Sequence, residues 1–263
     1  MRIYVEGIGL IAPGLPDWQA AAPVLAGTAP YVPADVAVPA SSLLPAAERR
    51  RAGVPVKLAL AAGQEAFANA GRDPVATATV FTSSSGDGEN LHRICEALAG
   101  AEREISPTRF HNSVHNAASG YWGIATGSMQ PSTSLSAFDA TFAAGLLEAT
   151  TQANSSSQSC LLLAYDTIYP EPLHSLRSIP AAMGVALVLN PCQTSAALAQ
   201  FKISFSDAPA THLPQDDLEH LRQSIPVARS LPVLALLAQG RHGSVVVDYL
   251  DTLRLGIEVC DIA

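Results

Sequence analysis

The feature that most constrains the fold of this chain is the alternation of short apolar runs with longer segments rich in Ala and Leu. Cys160–Asp166 and Ala182–Asn190 are apolar at almost every position and have the length of strands. Val56–Ala70 and Asp139–Ala153 carry apolar residues at helical spacing. Strands that are apolar on both faces and alternate with helices predict an α/β protein with a mostly parallel sheet.

The same criteria place the other elements, with glycines and prolines marking their ends. Further strands are predicted at Arg2–Leu10, Thr77–Ser83, Ser132–Ala137, Pro232–Gln239, Ser244–Leu250 and Thr252–Val259, and further helices at Trp18–Gly27, Glu89–Ala99 and Gln215–Ser224. Thr28–Pro45 reads as a surface excursion, and Ser106–Gly127 as a helix-bearing segment with His111 and His115 on one face. The last two strands are expected to form a closing hairpin.

Net charge, the N-terminal sequence and the cysteine spacing argue against several classes of protein. The net charge of −8 argues against a nucleic-acid partner. The N-terminus lacks the pattern of a signal peptide, and no apolar run reaches about 18 residues, so we expect neither secretion nor membrane insertion. Four scattered cysteines without C-x-x-C spacing favour free thiols in a reducing cytoplasm.

No sequence motif implies a cofactor or a metal. The turn "SSSGDG" lacks the G-x-G-x-x-G pattern and a phosphate-binding lysine, so it reads as a tight turn. His111 and His115 have i, i+4 spacing, but "HNSVH" lacks the glutamate of the zinc-protease pattern and has no evident third ligand. We therefore predict no metal site there.

One carboxylate stands at a predicted strand-to-helix junction. In "PSTSLSAFDATFAAGLLEA", Asp139 follows the strand and precedes the apolar helix. Such a position lies beside unpaired backbone N–H groups at the positive end of the helix dipole, where an anion is stabilised or a nucleophile activated. The simpler interpretation is an N-cap, which contributes about 1 kcal/mol.

The order of residues around Asp139 resembles the nucleophile segment of the β-ketoacyl synthases, condensing enzymes of the thiolase superfamily. Their pattern is roughly G-x-x-GP-S-x-S-x-x-[ST]-A-C, and in register Asp139 stands where they have the nucleophilic cysteine. The stretches "RIYVEGIGLIAPG", "KLALAAGQEAFANAG", "CLLLAYDTI" and "MGVALVLNP" resemble other segments of the family in the same order. The resemblance covers about the first 190 residues. It implies a thiolase-like layered α/β fold in one domain, 1–263, with a nearly complete half at 1–190 and a reduced half at 191–263.

The chain departs from the family in its second part. A working condensing enzyme brings two histidines to its cysteine, one of them from an "HGTGT"-like stretch that this sequence lacks. His212, His220 and His242 lie in other contexts and read as surface residues. A carboxylate attacking a thioester would also give a mixed anhydride, which is a poor acyl store. Condensation by this chain alone is therefore not expected.

The resemblance then points to the chain-length factors, inactive subunits that pair with a catalytic ketosynthase and an acyl carrier protein, with short versions in aryl-polyene pathways. By position, Thr108–Ser113 should face the partner's acyl tunnel, with Thr108, Arg109, Phe110 and Ser113 as gate or interface residues. His111, His115 and Asn116 are expected at the subunit interface. Phe138 either fills the space beside the missing acyl-cysteine or packs in the core. Asp139 would cap its helix and pair with a basic group that the sequence does not identify.

Two other interpretations stay open. One is a stand-alone acyltransferase or decarboxylase that uses Asp139 with His111 or His115. The other is a homodimeric scaffold that binds carrier protein without shaping a tunnel.

Overall fold

The centre of the computed structural model, which describes residues 1–262, is one eight-stranded sheet. The strands are β1 Arg2–Ile11, β2 Ala78–Thr82, β3 Ser132–Leu135, β4 Cys160–Asp166, β5 Met183–Asn190, β6 Ala199–Ser206, β7 Gly243–Val247 and β8 Arg254–Cys260. Their order across the sheet is β3-β2-β4-β5-β1-β6-β8-β7. Every residue of β4 and β5 is buried, as expected for strands covered on both faces.

Helices cover both faces of the sheet. They are α1 Trp18–Leu25, α2 Ala46–Arg51, α3 Val54–Ala70, α4 Gly88–Ala99, α5 Pro107–His111, α6 Ala117–Thr126, α7 Thr141–Ser156, α8 Leu173–Leu176, α9 Asp216–Ser224 and α10 Leu231–Gln239. Helices α3 and α6 pack on one face. Helices α1, α7, α9 and α10 pack on the other. The result is a helix–sheet–helix layering around two apolar clusters.

Helix α3 lies unusually close to β1 because β1 carries glycines where the two elements cross. A Cβ atom on Gly9 would lie 1.9 Å from the carbonyl oxygen of Ala62. Small residues on both elements therefore permit a contact that side chains would prevent. Gly71, in the left-handed conformation with φ 62°, ends the helix as predicted.

The expectation of a mostly parallel sheet is wrong. Only the pairs β2–β3 and β2–β4 are parallel among residues 1–262. The pairs β4–β5, β5–β1, β1–β6, β6–β8 and β7–β8 are antiparallel. A parallel crossover usually needs a full helix, whereas the connection from β4 to β5 contains only the four-residue α8.

Two elements after residue 190 also differ from the predictions. Pro232–Gln239, predicted as a strand, lies in helix α10. Its leucines and alanines are good helix formers, and Pro232 occupies the first turn, where a proline is tolerated. Strand β6 was not predicted, although its buried Ala199, Phe201 and Ile203 alternate with more exposed residues.

The remaining element predictions agree with the structure. Helices α1, α4 and α9 and strands β1, β2 and β3 lie where the sequence places them, with small differences at their ends. The closing hairpin is confirmed as the antiparallel pair β7–β8. Across the described residues, no helix has both the length and the apolar character that a membrane crossing requires.

Candidate functional site

Asp139 lies between β3 and α7, in a short 3-10 turn that spans Phe138–Ala140. The predicted N-cap is wrong, because α7 begins at Thr141 without a side-chain cap. The turn is closed instead by the Thr141 hydroxyl, which donates to the Phe138 carbonyl at 2.5 Å. Asp139 therefore does not satisfy the first N–H groups of the helix, and its carboxylate is directed to other partners.

Two arginines hold the Asp139 carboxylate. Arg177 Nη2 donates to Oδ1 at 2.5 Å, and Arg229 Nη2 lies 3.4 Å from Oδ2. Arg229 Nη1 also donates to the main-chain oxygen of Asp139 at 2.8 Å. These are the basic partners that the sequence could not identify. Charge-assisted bonds from guanidinium groups are stronger than neutral ones, which explains why this carboxylate faces the arginines.

Phe138 extends this arrangement outward. The Arg177 guanidinium carbon lies 3.6 Å from the centroid of the Phe138 ring, within the range of a cation–π contact. Phe138 is 61% exposed, so the core-packing interpretation is wrong. Its backbone has φ of 53°, which is uncommon for a bulky residue and places the ring outside the core. Arg177 thus contacts both the carboxylate and the ring beside it.

A second carboxylate lies buried in the same region. Asp166, the last residue of β4, accepts hydrogen bonds from Ser84 N at 2.9 Å, Ser84 Oγ at 2.6 Å and Val227 N at 3.0 Å. Burial raises the pKa of Asp166 to about 6, and the Ser84 and Val227 hydrogen bonds oppose that rise. Asp166 therefore connects β4 to the turn after β2 and to the 3-10 helix Pro226–Ser230.

A chain of charges joins Arg229 to the hairpin. Arg229 Nε lies 3.9 Å from Asp248 Oδ2, and Arg222 Nη1 donates to the same oxygen at 3.1 Å. Arg222 also pairs with Glu219 at 2.8 Å, and this contact holds the pKa of Glu219 far below its usual range. The region after residue 190 thus reaches the position of Asp139 through Arg229.

Sequence reasoning missed Arg177, Arg229 and Asp166. Arg177 and Arg229 lie 38 and 90 positions from Asp139, too far apart in sequence for local spacing to link them. Asp166 gave a usable signal, because a carboxylate at the end of the buried run "CLLLAYD" must find hydrogen bonds.

The segment Ser106–Gly127 is not one helix. It contains α5 and α6, separated by residues 112–116, so His111 and His115 do not share a helix face. The His111 ring meets Tyr121 edge-on at 6.5 Å, and His115 Nε2 lies 3.1 Å from the Leu135 carbonyl oxygen. Asn116 is exposed just before α6. Among residues 1–262, neither histidine forms a hydrogen bond or an ion pair with Asp139.

The proposed gate residues lie on and just after α5. Thr108 and Arg109 line an open cleft of about 780 Å³, which is also lined by residues of α3, α4 and the loop after β4. Phe110 and Ser113 do not line this cleft. Phe110 is 67% exposed, and the Ser113 hydroxyl donates to the Phe110 carbonyl at 2.8 Å. One helical turn thus presents side chains both to the cleft and to the outer surface.

Comparison with known proteins identifies the family. The sequence matches the family described as Beta-ketoacyl synthase, N-terminal domain, over residues 18–247. The chain belongs to this family. Among curated proteins, no match to the sequence is found.

Solved structures share the fold of this chain. A chain in the complex of the ketosynthase ApeO with its chain length factor ApeC, from Xenorhabdus doucetiae, aligns with a TM-score of 0.76 at 23% identity, covering 98% of this chain and 99% of that chain. The ishigamide ketosynthase/chain length factor gives 0.75 at 14% identity, with complete coverage of both chains.

The complex AntDE:AntF, a type II PKS acyl-carrier protein with its ketosynthase bound to the hexaketide, gives a TM-score of 0.74 at 13% identity, with 99% of each chain covered. At such identities the likeness establishes the fold, so the expected thiolase-like α/β fold is confirmed. The division into halves at residue 190 stays a prediction.

Proposed function

We propose that this chain is a non-catalytic chain-length factor that pairs with a catalytic β-ketoacyl synthase and shapes its acyl tunnel. The observation that carries the proposal is the ion pair of Asp139 with Arg177, at 2.5 Å. In register with the family pattern, this carboxylate stands where the nucleophilic cysteine is expected, and both of its oxygens face arginines. Our proposal includes an aryl-polyene or related polyketide setting and a cytoplasmic location.

The chemistry around Asp139 does not suit acyl transfer. Pairing with two guanidinium groups lowers the nucleophilicity of a carboxylate, and attack on a thioester would in any case give an unstable anhydride. His111 and His115 are engaged elsewhere, the first beside Tyr121 and the second at the Leu135 carbonyl. No contact in the described chain favours the stand-alone acyltransferase or decarboxylase.

A partner surface is available beside the same site. Strand β3 is at the edge of the sheet and pairs with β2 alone among the described strands. The segment leading into it exposes large apolar side chains: Phe110, Val114, Ile124 and Met129. An open sheet edge next to exposed apolar residues is typical of a protein–protein interface. Two of the structural matches are described as ketosynthases with chain length factors, which supports a ketosynthase as the partner.

Chain length would be set by the residues that fill the end of the partner's tunnel. In our proposal Thr108, Arg109, Phe110 and Ser113 serve this role from α5 and the residue after its cap, and Phe138 borders the same region from the other side. Filling the space excludes further methylene groups, whereas each one buried in an opened space gains about 0.8 kcal/mol. The Arg109 guanidinium could also stack on a conjugated chain end.

Co-expression with a candidate ketosynthase from the same organism tests the proposal. We expect a stable one-to-one complex that elongates an acyl thioester with malonyl carrier protein, while the purified chain alone does not. Phe110→Ala tests the exposed apolar surface of the α5–β3 segment. Val32→Ala, at an exposed apolar residue outside that segment, is its control and should keep the complex. Loss of the complex in both variants, or elongation by the lone chain, would contradict the proposal. A homodimer that binds carrier protein but no ketosynthase would support the scaffold interpretation instead.

A further inference from the structure

The outer end of the sheet gathers three side chains whose atoms bind metals well. Glu258 and Cys260 are two residues apart on β8, so their side chains lie on the same face of the sheet. The register of β7 with β8 pairs Gly243 with Val259, and one further step along it sets His242 opposite Cys260. The three side chains therefore converge from β8 and from the residue before β7, at the opposite edge of the sheet from β3, the strand that precedes Asp139.

The distances between these side chains are close to those around a metal ion. His242 Nε2 lies 3.9 Å from Glu258 Oε1, and Cys260 Sγ lies 3.4 Å from the same oxygen. One ligand atom from each residue lies within 4.8 Å of the other two. Bonds to zinc of about 2.0–2.3 Å set ligand atoms roughly 3.3–3.8 Å apart in a tetrahedron. Small side-chain rotations would therefore bring all three onto one ion.

We propose that His242, Glu258 and Cys260 form a binding site for a divalent transition metal of the Zn²⁺ class. The set offers one imidazole nitrogen, one carboxylate oxygen and one thiolate sulfur, which suits Zn²⁺ or Co²⁺, whereas Mg²⁺ and Ca²⁺ prefer oxygen ligands alone. Binding deprotonates the Cys260 thiol and releases that proton to solvent. The thiolate and the carboxylate then balance the two charges of the ion, and water completes a tetrahedron.

Lys202 is the competitor at this site. Its Nζ lies 2.9 Å from Glu258 Oε1, and the two residues face each other across β6 and β8. The Lys202 side chain is 42% exposed and flexible, so it can turn to solvent when a doubly charged ion replaces it.

The site would join the two strands of the closing hairpin. His242 precedes β7, and Glu258 and Cys260 belong to β8. A ligand that binds the folded chain raises its stability, and a metal between two strands acts on their pairing in particular. This role is independent of pairing with a ketosynthase, so the two proposals can fail separately.

Titration of the purified full chain with Zn²⁺ and Co²⁺ tests the proposal. We expect one ion per chain, a rise in the midpoint of thermal unfolding, and for Co²⁺ the near-ultraviolet absorption of a cobalt–thiolate bond. Cys260→Ser should abolish that absorption, and His242→Ala should weaken binding at least tenfold. Lys202→Met should bind as tightly as the unchanged chain or more tightly, since it removes the competing ammonium group.

Matched controls come from the same chain. Cys192→Ser alters an exposed cysteine outside the proposed site, and His212→Ala alters a histidine that pairs with Glu219. Both variants should bind like the unchanged chain. If a ligand variant does not fold, as judged by circular dichroism, Glu258→Gln tests the site with less change in shape. It should weaken metal binding. A chain without cobalt–thiolate absorption, or absorption that survives in Cys260→Ser, would overturn the proposal.

Discussion

Two neighbouring parts of the fold differ in how their charged side chains are paired: the turn that holds Asp139 and the helical turn that holds Arg109. Asp139 has both carboxylate oxygens against guanidinium groups, and Arg177 covers the adjacent Phe138 ring. The Arg109 guanidinium, by contrast, forms no hydrogen bond or ion pair with any residue in 1–262, and Phe110 is mostly exposed.

In the proposed function, this difference marks where a partner would bind. A site whose charges are balanced internally offers little to a substrate. A segment with a cation that forms no salt bridge among the described residues, and with the exposed Phe110 ring, gains contacts when a partner covers it. In the proposed function, the position of the family's reactive group has become structural, and the adjacent surface carries the specificity.

The largest effect on stability is expected at Asp166, the buried carboxylate in the region of Asp139. Asp166→Ala removes the acceptor of three hydrogen bonds and leaves the buried N–H groups of Ser84 and Val227 without partners. We expect the free energy of unfolding to fall by about 3 kcal/mol, measured by urea denaturation. Asp35→Ala, at an exposed residue, should change it by less than about 0.5 kcal/mol. Equal effects of the two variants would show that Asp166 has no special structural role.

The same carboxylate should make stability depend on pH. Its pKa rises from 3.8 to about 6 on folding, so the folded chain holds the proton more tightly than the unfolded chain in this window. The favourable contribution is complete below about pH 4 and is lost as the pH rises through about 6. We expect a loss on the order of 2–3 kcal/mol, which Asp166→Asn should abolish. A pH slope between 4 and 7 that is the same in both proteins would contradict this expectation.

A smaller loss is expected at Asp139 itself. Asp139→Ala leaves two guanidinium groups close together without their shared anion. Because Asp139 is 38% exposed, solvent screening limits the effect, and we expect the free energy of unfolding to fall by about 1–2 kcal/mol. Asp139→Asn keeps the shape and should lose less. If urea denaturation shows no loss for Asp139→Ala, the arginine pair is not a stabilising feature.

The smallest effect on stability is expected at Arg109, in the helical turn of α5. Arg109→Ala should leave the free energy of unfolding within about 0.5 kcal/mol of the unchanged chain, because its side chain contacts solvent. In the complex, the same change should lengthen the products or broaden their distribution, as shown by mass spectrometry. Arg103→Ala, at another exposed arginine, should leave the products unchanged. Products that are identical in all three proteins would remove Arg109 from the gate.

Much of the fold could be predicted because its signals are local. The spacing of apolar residues in α3 and the stop at Gly71 depend only on nearby sequence, and so do the buried runs of β4 and β5. Strand direction could not be predicted in this way, because it depends on how each connection crosses the sheet. The leucine-rich run of α10 also suits either a helix or a strand until its burial is known.

The candidate site was predicted only at its centre. The resemblance of "SAFDATF" to a nucleophile segment located Asp139, since that pattern lies within a few residues. Its partners Arg177 and Arg229 come from distant loops that the sheet brings together, and no spacing rule connects them. The break between α5 and α6 at residues 112–116, without a proline, likewise gave no clear signal.

The most direct test of the proposed function replaces the two candidate nucleophiles of the assembled complex, one at a time. Elongation of an acyl thioester with malonyl carrier protein should be measured for the unchanged complex, for Asp139→Asn in this chain, and for a ketosynthase partner whose catalytic cysteine is replaced by alanine. We predict that Asp139→Asn keeps its elongation rate within about twofold of the unchanged complex, whereas the partner variant loses elongation entirely. Elongation that survives in the partner variant but disappears with Asp139→Asn would show that this chain performs the chemistry itself.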